Sequence, residues 1–444
     1  MKLLMPVRPH QQPVNFVHSS LYSNLINCTA DMKRVRVGII GANSAVEWSV
    51  LPTLSSRDIM APPDNGAWWA RRADSPDIHY QAPARPEIVA IAEAETQQNN
   101  RGQSRVERVA QTARVRATYS DWRAMLREVE LDAIICVAPP HIAAEIVAAT
   151  GGAKPLWIWG APATSLSALA RLQNGLRGRD KVWNAQTLRQ SSAHRAARQL
   201  VERDQIGAVC ALSLRVPHAL ETAPEHDAAR FSASLSAMDL VRHFAAQTAT
   251  SSTRTSANIS QNGAMAFAGA MAFENNGATH ATLRLQNGAI ANILFAGAET
   301  WSAPFPRLEI VGTQGRSMVC EAGRRLWLHH PREAARFWEP PGMSHHISAA
   351  NVAGVAEDLK AFLAWCVDDA TSSTRCDLRD EIASWQWLKT VNESLHTGTF
   401  ALFSQQNETE EIDTEEIDTE DTREKVAKLL PIAPVSATLT LPLS

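Results

Sequence analysis

A glycine that closes one short apolar strand and opens a helix lets a backbone wrap closely around a phosphate, and Gly41 holds that place in RVRVGIIGANSAV. The dinucleotide fingerprint GxGxxG uses its glycines for a tight turn, close approach to pyrophosphate and close helix–strand packing, while the helix N-terminus attracts the phosphate charge. Only the first glycine is kept here; Asn43 and Val46 occupy the second and third positions. Asn tolerates a left-handed backbone better than most residues, so the turn can persist, but both side chains restrict how near a pyrophosphate comes. The second element of this chemistry is an acid at the end of the next strand, where it bonds ribose hydroxyls. Glu93 stands there, after EIVAIA. A carboxylate repels a ribose 2′-phosphate, so NAD is the expected cofactor and NADP the other option. The bland alternative is an α/β sheet whose first turn binds nothing.

Groups able to move a proton are fewer. Asp239 and His243 lie four apart in FSASLSAMDLVRHF, on one face of a helix, and are the candidate catalytic acid–base pair. A helix packed on a sheet more often satisfies such residues structurally. His141 follows two prolines at the mouth of a strand, where it could touch a nicotinamide or cap the next helix. The adjacent pairs His329–His330 and His345–His346 would point to opposite faces of a strand, which favours solvent over a metal, and no metal is expected. Trp157 and Trp159 share a strand face; core packing is the default and an aromatic platform for a sugar the other reading. Trp68–Trp69 lies in an insertion where exposed indoles could contact a partner.

These residues are carried by alternating short apolar strands and helical segments, the βαβ signature of a parallel sheet. Strands are predicted at Arg34–Ile40, Glu87–Ala92, Ala133–Ala138, Leu156–Trp159 and Val182–Ala185, with helices between them. Beyond a helix at Ser191–Arg203 the character changes. Strands at Ala208–Val216, Thr279–Leu285, Ala289–Phe295, Leu308–Val311, Arg316–Cys320 and Arg324–Leu328 are separated by turn signals, which predicts antiparallel pairing. Helices at Ala353–Val367 and Asp380–His396 follow. The fold class is therefore α/β, a parallel-sheet half followed by an α+β half with an open, mainly antiparallel sheet.

Composition narrows the classes further. The 444 residues suffice for two or three packed units, and 45% hydrophobic with 20% charged residues is ordinary for a globular chain. A net charge of −3 supplies no basic excess for nucleic acid. The nine acids of Glu408–Asp421 sit in a repeat without a base, which leaves the rest net positive and the tail self-repelling. The six cysteines form no CxxC pair, so reduced thiols are expected. No apolar run reaches the roughly 18–20 residues that cross a bilayer, and the opening stretch halts at Pro6; no membrane partner and a cytoplasmic location are the expectation.

The order of VGIIGA, IVAIAEAE, YSDWRAML, LDAIICVAPPH and WGAPATSLSALARL, followed by QIGAVCALSLRV, LQNGAIANILF and LEIVGTQG, resembles the glucose–fructose oxidoreductase / inositol dehydrogenase (Gfo/Idh/MocA) family. The resemblance covers roughly residues 33–403 and implies a Rossmann domain, an open antiparallel sheet, and NAD(P)-linked oxidation of a sugar or cyclitol hydroxyl. The chain is expected to divide into a disordered arm or over-called start (1–31), a Rossmann-type NAD(P)-binding domain (32–185), a C-terminal α/β substrate and oligomerisation domain (186–404) and an acidic disordered tail (405–444). The resemblance places the dinucleotide against Gly41, Asn43, Ser44, Ala45, Glu93, Pro139, His141 and Ala161. The family's Glu-Lys-Pro lysine falls on Ala161, its Asp-x-x-x-His acid and histidine on Ser232 and Ser236, and its histidine after Pro-Asn on Ala143. Two functions stay open: an oxidoreductase with an unrecognised proton donor acting on a sugar-like alcohol or ketone, or an inactive relative acting as a nucleotide or sugar sensor or as a partner subunit. A homo-oligomer is expected as well, because AIANILF is apolar at successive positions and both sheet faces then need cover.

Overall fold

The structure, a computed structural model, describes residues 33–55, 85–95, 100–176, 180–224, 226–245, 267–275, 277–297, 306–338, 354–368 and 375–403. The expectations for the N-terminal arm, for Trp68–Trp69, for His345–His346 and for the acidic tail lie outside these residues.

The first sheet is built from β1 (Arg34–Ile40), β2 (Arg85–Ala92), β3 (Ala117–Tyr119), β4 (Ala133–Cys136), β5 (Leu156–Ile158) and β6 (Val182–Asn184). All pair in parallel, in the order β3-β2-β1-β4-β5-β6. That is the doubly wound Rossmann order, with its switch point between β1 and β4. Continuous apolar runs such as AIIC and LWI suit strands buried on both faces, and every residue of β4 and β5 is buried. The helices between them are α1 (Leu51–Ser55, entered through a π turn at Val46–Val50), α2 (Asn100–Ala113), α3 (Trp122–Glu128), α4 (Pro140–Thr150) and α5 (Leu166–Gly175). Their starts follow local chemistry: Asp121 accepts the Arg123 amide at 3.0 Å, Ser165 accepts the Ala168 amide at 3.1 Å, and Pro140 opens α4.

After α6 (Thr187–Gln190) and α7 (Ser192–Glu202) the chain enters the second sheet with β7 (Val209–Val216), followed by the long helix α8 (Ala228–Ala245). The sheet continues with β8 (Phe267–Asn275), β9 (Ala278–Leu285), β10 (Ile290–Ala296), β11 (Arg307–Gly312), β12 (Ser317–Glu321), β13 (Arg325–His329) and β14 (Arg336–Trp338). Helices α9 (Val355–Val367) and α10 (Leu378–Thr397) and the edge strand β15 (Ala401–Leu402) complete the order β14-β13-β12-β11-β7-β10-β9-β8-β15. The pairing is mainly antiparallel, as expected, but β10 runs parallel to β7. Strands β8, β14 and β15 were not read from the sequence.

One face of this sheet is wholly covered: Leu212, Leu214, Ile293 and Phe295 pack into the core that includes Phe231 and Leu235 of α8 and Trp387 and Leu388 of α10. The other face alternates, and Ile290, Asn292 and Leu294 of β10 lie on it while Ala291, Ile293 and Phe295 point inward. Of the two helices that follow the sheet in sequence, only α10 covers it. Helix α9 packs instead on the parallel sheet, where Leu359, Phe362 and Leu363 join Val37, Ile39, Ile135, Trp157 and Trp183. The reason is polar as well as apolar. Asp358 is buried, and the Trp157 and Trp183 indoles donate to it at 2.6 and 3.1 Å. This also decides the reading of Trp157, which is core and not a platform for a sugar. Among the described residues no helix is long and apolar enough to cross a membrane.

Candidate functional site

The carboxyl ends of β1, β2, β4 and β5 form the rim where an open parallel sheet binds ligands. Gly41 leaves β1 with φ at +107°, and its amide donates to the Ala92 carbonyl at 2.9 Å. A β-carbon there would lie 2.1 Å from the Val137 carbonyl oxygen, so the turn requires glycine for a reason that holds with or without a ligand. Asn43 replaces the second fingerprint glycine by closing the turn itself. Its Nδ2 donates to the Val137 carbonyl at 2.8 Å, and its Oδ1 accepts the Val46 amide at 3.1 Å. Ser44 is exposed and Ala45 half-buried on the first helical turn beyond it.

Glu93 is the acid expected at the end of β2, and the structure turns it toward this turn. The Ala42 amide donates to its carboxylate. Its Oε1, however, is shielded from solvent and has no partner among the described residues. Burial pushes the carboxyl above its ordinary range, against the Arg105 charge and the Ala42 amide, which pull it down. An unsatisfied acceptor in such a place costs about 1–3 kcal/mol unless a donor arrives. A ribose hydroxyl is such a donor, so the residues present fit a dinucleotide at its adenosine ribose. Arg105, on α2, was not singled out from the sequence, because nothing local to it signals which side of α2 meets β2.

The second group of residues lies further along the same rim. Pro139 caps α4 and is exposed, and His141 is 58% exposed with Nε2 3.3 Å from Glu95 Oε1. His141 thus lies beside Glu95, and no side-chain hydrogen bond caps α4. Gly160 follows β5 at φ +129°, and a β-carbon on it would lie 3.9 Å from both the Ala138 carbonyl and Ser232 Oγ. The second turn of α8 thus meets the β4 and β5 loops, with Ala161 buried beside them. Ser232 stands at this junction, and its hydroxyl donates to the Ala228 carbonyl at 2.8 Å. No acid or base occupies the position.

Asp239 and His243 lie on α8, as read, but the structure does not join them as a pair. Asp239 is clamped by Arg189, whose Nε donates to Oδ2 at 2.6 Å and whose Nη2 donates to Oδ1. Arg242 Nη1 approaches Asp239 at 3.6 Å, and both arginines also reach Asp380, at 3.9 and 2.7 Å. This buried four-member network ties α6, α8 and α10 together. His243 packs edge-on against Phe244, and burial together with Arg198, Arg189 and Arg242 holds its imidazole well below the ordinary histidine range. Equal spacing put both residues on one face, but a bidentate guanidinium is a stronger partner for a buried carboxylate than a neutral imidazole.

No protein-family model and no curated protein sequence matches the chain. Solved structures do. A dehydrogenase from Chromobacterium violaceum superposes at TM-score 0.58 with 15% identity, covering 83% of this chain and 97% of the other. A levoglucosan dehydrogenase in complex with NADH and L-sorbose gives TM-score 0.59 at 15% identity over 84% and 100% of the two chains. A myo-inositol dehydrogenase from Corynebacterium glutamicum gives 0.57 at 14% over 84% and 99%. At such identities the likeness is one of fold, and the fold is that of two-domain sugar and inositol dehydrogenases.

Proposed function

We propose that this chain is an NAD-dependent oxidoreductase of the Gfo/Idh/MocA type, acting on a hydroxyl or carbonyl of a small sugar- or cyclitol-like molecule. The observation that carries the reading is the Glu93 carboxylate, one oxygen on the Ala42 amide and the other buried without a donor, beside a turn that only glycine can make. The fold shared with dehydrogenases, one of them solved with NADH, supports it. When bound, the nicotinamide supplies a hydride acceptor. The chain's own part is to hold the ribose at Glu93, to let the backbone approach at Gly41, and to close the far side with the α8 turn that brings Ser232 to Gly160.

A second reading is favoured by a specific observation. The positions that the resemblance assigns to proton transfer are Ala161, Ser232, Ser236 and Ala143, and Ser232 spends its hydroxyl on its own helix. A serine without a base cannot take an alcohol proton at neutral pH, which fits an inactive relative that senses a nucleotide or sugar or serves a partner subunit. Calorimetric titration with NAD, followed by a nicotinamide absorbance screen against sugars and cyclitols, separates the two. NAD binding is expected, and Glu93→Ala should weaken it about tenfold, the loss of one charge-assisted hydrogen bond. Binding with no turnover on any substrate would favour the sensor, and absence of binding would sink the oxidoreductase reading and leave a structural Rossmann unit.

The outer face of the second sheet supports an oligomer. Met271, Phe273, Ile290 and Phe337 are exposed on its strands, with Phe400 and Leu402 beside the β15 edge. Exposed apolar side chains on a sheet face are what a partner would cover, and a second copy of the chain is the occupant proposed. Light scattering at micromolar protein should report at least a dimer, dissociated by Phe273→Glu; a monomer at all concentrations would overturn the assignment.

A further inference from the structure

We propose that His218 is the proton acceptor for the oxidation, in place of the positions that hold Ala161, Ser232, Ser236 and Ala143 in this chain. The inference rests on the oxidoreductase reading above. Four histidines carry a shielded ring nitrogen without a partner among the described residues: His194, His218, His280 and His330. Three of them lie away from the rim. His194 is fully buried in α7 against the Leu188 carbonyl, His280 packs beside Phe273 on the outer face of the second sheet, and His330 follows β13 near that sheet's edge. His218 stands in the segment that leads from β7 into α8, the helix whose second turn meets Gly160. His141, on the rim itself, has its Nε2 3.3 Å from Glu95.

Short contacts fix this segment at both ends. Val216 closes β7 opposite Phe295, and the His218 ring packs on Phe295 with centroids 5.7 Å apart. The Glu221 amide donates to Ser234 Oγ on α8 at 3.1 Å, and Asp227 accepts the Ala229 and Arg230 amides at 3.1 and 3.0 Å where that helix starts. One bond sets the tautomer of His218. Its Nδ1 lies 2.9 Å from the Ala219 carbonyl, which can only accept, so Nδ1 carries the hydrogen and Nε2 presents its lone pair. Burial and the Arg230 charge, against the Ala219 carbonyl and Asp227, hold the imidazole below its ordinary range and therefore neutral at neutral pH. A neutral, oriented imidazole with an unused acceptor nitrogen is what the removal of a hydroxyl proton needs. As the carbon's hydrogen leaves with its electron pair for the oxidised dinucleotide, the O–H bond breaks and its proton goes to Nε2. The products are a carbonyl compound, the reduced dinucleotide and an imidazolium.

The nicotinamide ring is positively charged in NAD and uncharged in NADH, so the two dinucleotides probe the place of His218 without any turnover. The full chain, labelled with nitrogen-15 histidine, is titrated with acid in complex with each, and the His218 signals are identified by their loss in His218→Gln. His218→Asn serves for the identification if the glutamine variant melts early. The nitrogen shifts should show the Nδ1–H tautomer at neutral pH, and the His218 imidazole should bind its proton about tenfold more weakly with NAD than with NADH. Equal midpoints in the two complexes, or an Nε2–H tautomer, overturn the inference while leaving the nucleotide site in place. Failure to bind either dinucleotide removes the oxidoreductase reading and the inference together. On a substrate found by the absorbance screen, His218→Gln should lower kcat about 10²–10⁴-fold with little change in NAD affinity, and an unchanged kcat would be equally fatal.

Discussion

Asp358→Ala is expected to destabilise the protein by about 2–6 kcal/mol, since it leaves two buried indole N–H groups without an acceptor, each at about 1–3 kcal/mol. Both donors come from the parallel sheet, Trp157 on β5 and Trp183 on β6, and both aim at the Asp358 carboxyl of α9. The surroundings cannot readily relax. Trp183 is packed against Phe362 and Trp365 with ring centroids 6.1 and 6.0 Å away, and Trp157 is fully buried. Water cannot reach the vacated donors without opening this aromatic cluster. A urea titration reads the effect as a lower midpoint at unchanged slope. A loss below about 1 kcal/mol would show that the indoles find other acceptors, and the polar anchor assigned to α9 would be wrong.

The second large effect is one of pH. Glu381 on α10 is fully buried and accepts from the Asn184 and Gln186 amides, the latter at 2.6 Å. Burial, together with the nearby Asp239 carboxylate, pushes its carboxyl up to about 8, and burial pushes Asp358 up to about 7. Both groups hold their protons more tightly in the folded than in the unfolded chain. Their contribution to stability is therefore whole below the ordinary carboxylate range and is lost as the pH rises through about 7 and about 8. The wild type should lose on the order of 3 kcal/mol of stability between about pH 5 and about pH 9 from Glu381 alone. Glu381→Gln keeps the shape and an oxygen for both amides but has nothing to ionise. It should match the wild type in mild acid and exceed it in alkali, and parallel curves for the two proteins would refute the assignment.

These two acids show why part of this molecule was hidden in its sequence. Asp358 and Glu381 stand in helices whose period is plain, and α10 begins where Asp377 accepts the Arg379 and Asp380 amides at 2.9 and 3.1 Å. Nothing within either helix says that its acid is buried, because the partners Trp157 and Gln186 lie some two hundred positions earlier.

What the sequence determined by itself is whatever local patterning encodes. The strand Arg34–Ile40 was read with the bounds it has, because a β-branched run ended by glycine leaves few other conformations. The parallel order of the first half follows from alternation of strand and helix with right-handed crossovers. Periodicity states which face of an element is buried, but not against what. Only the tertiary structure decided that α9 returns to the parallel sheet, that β10 pairs in parallel with β7, and that Asp239 is taken by Arg189 fifty positions before it. Each of these is a choice among partners distant in the chain, made by packing and by the need of every buried charge for a counterpart.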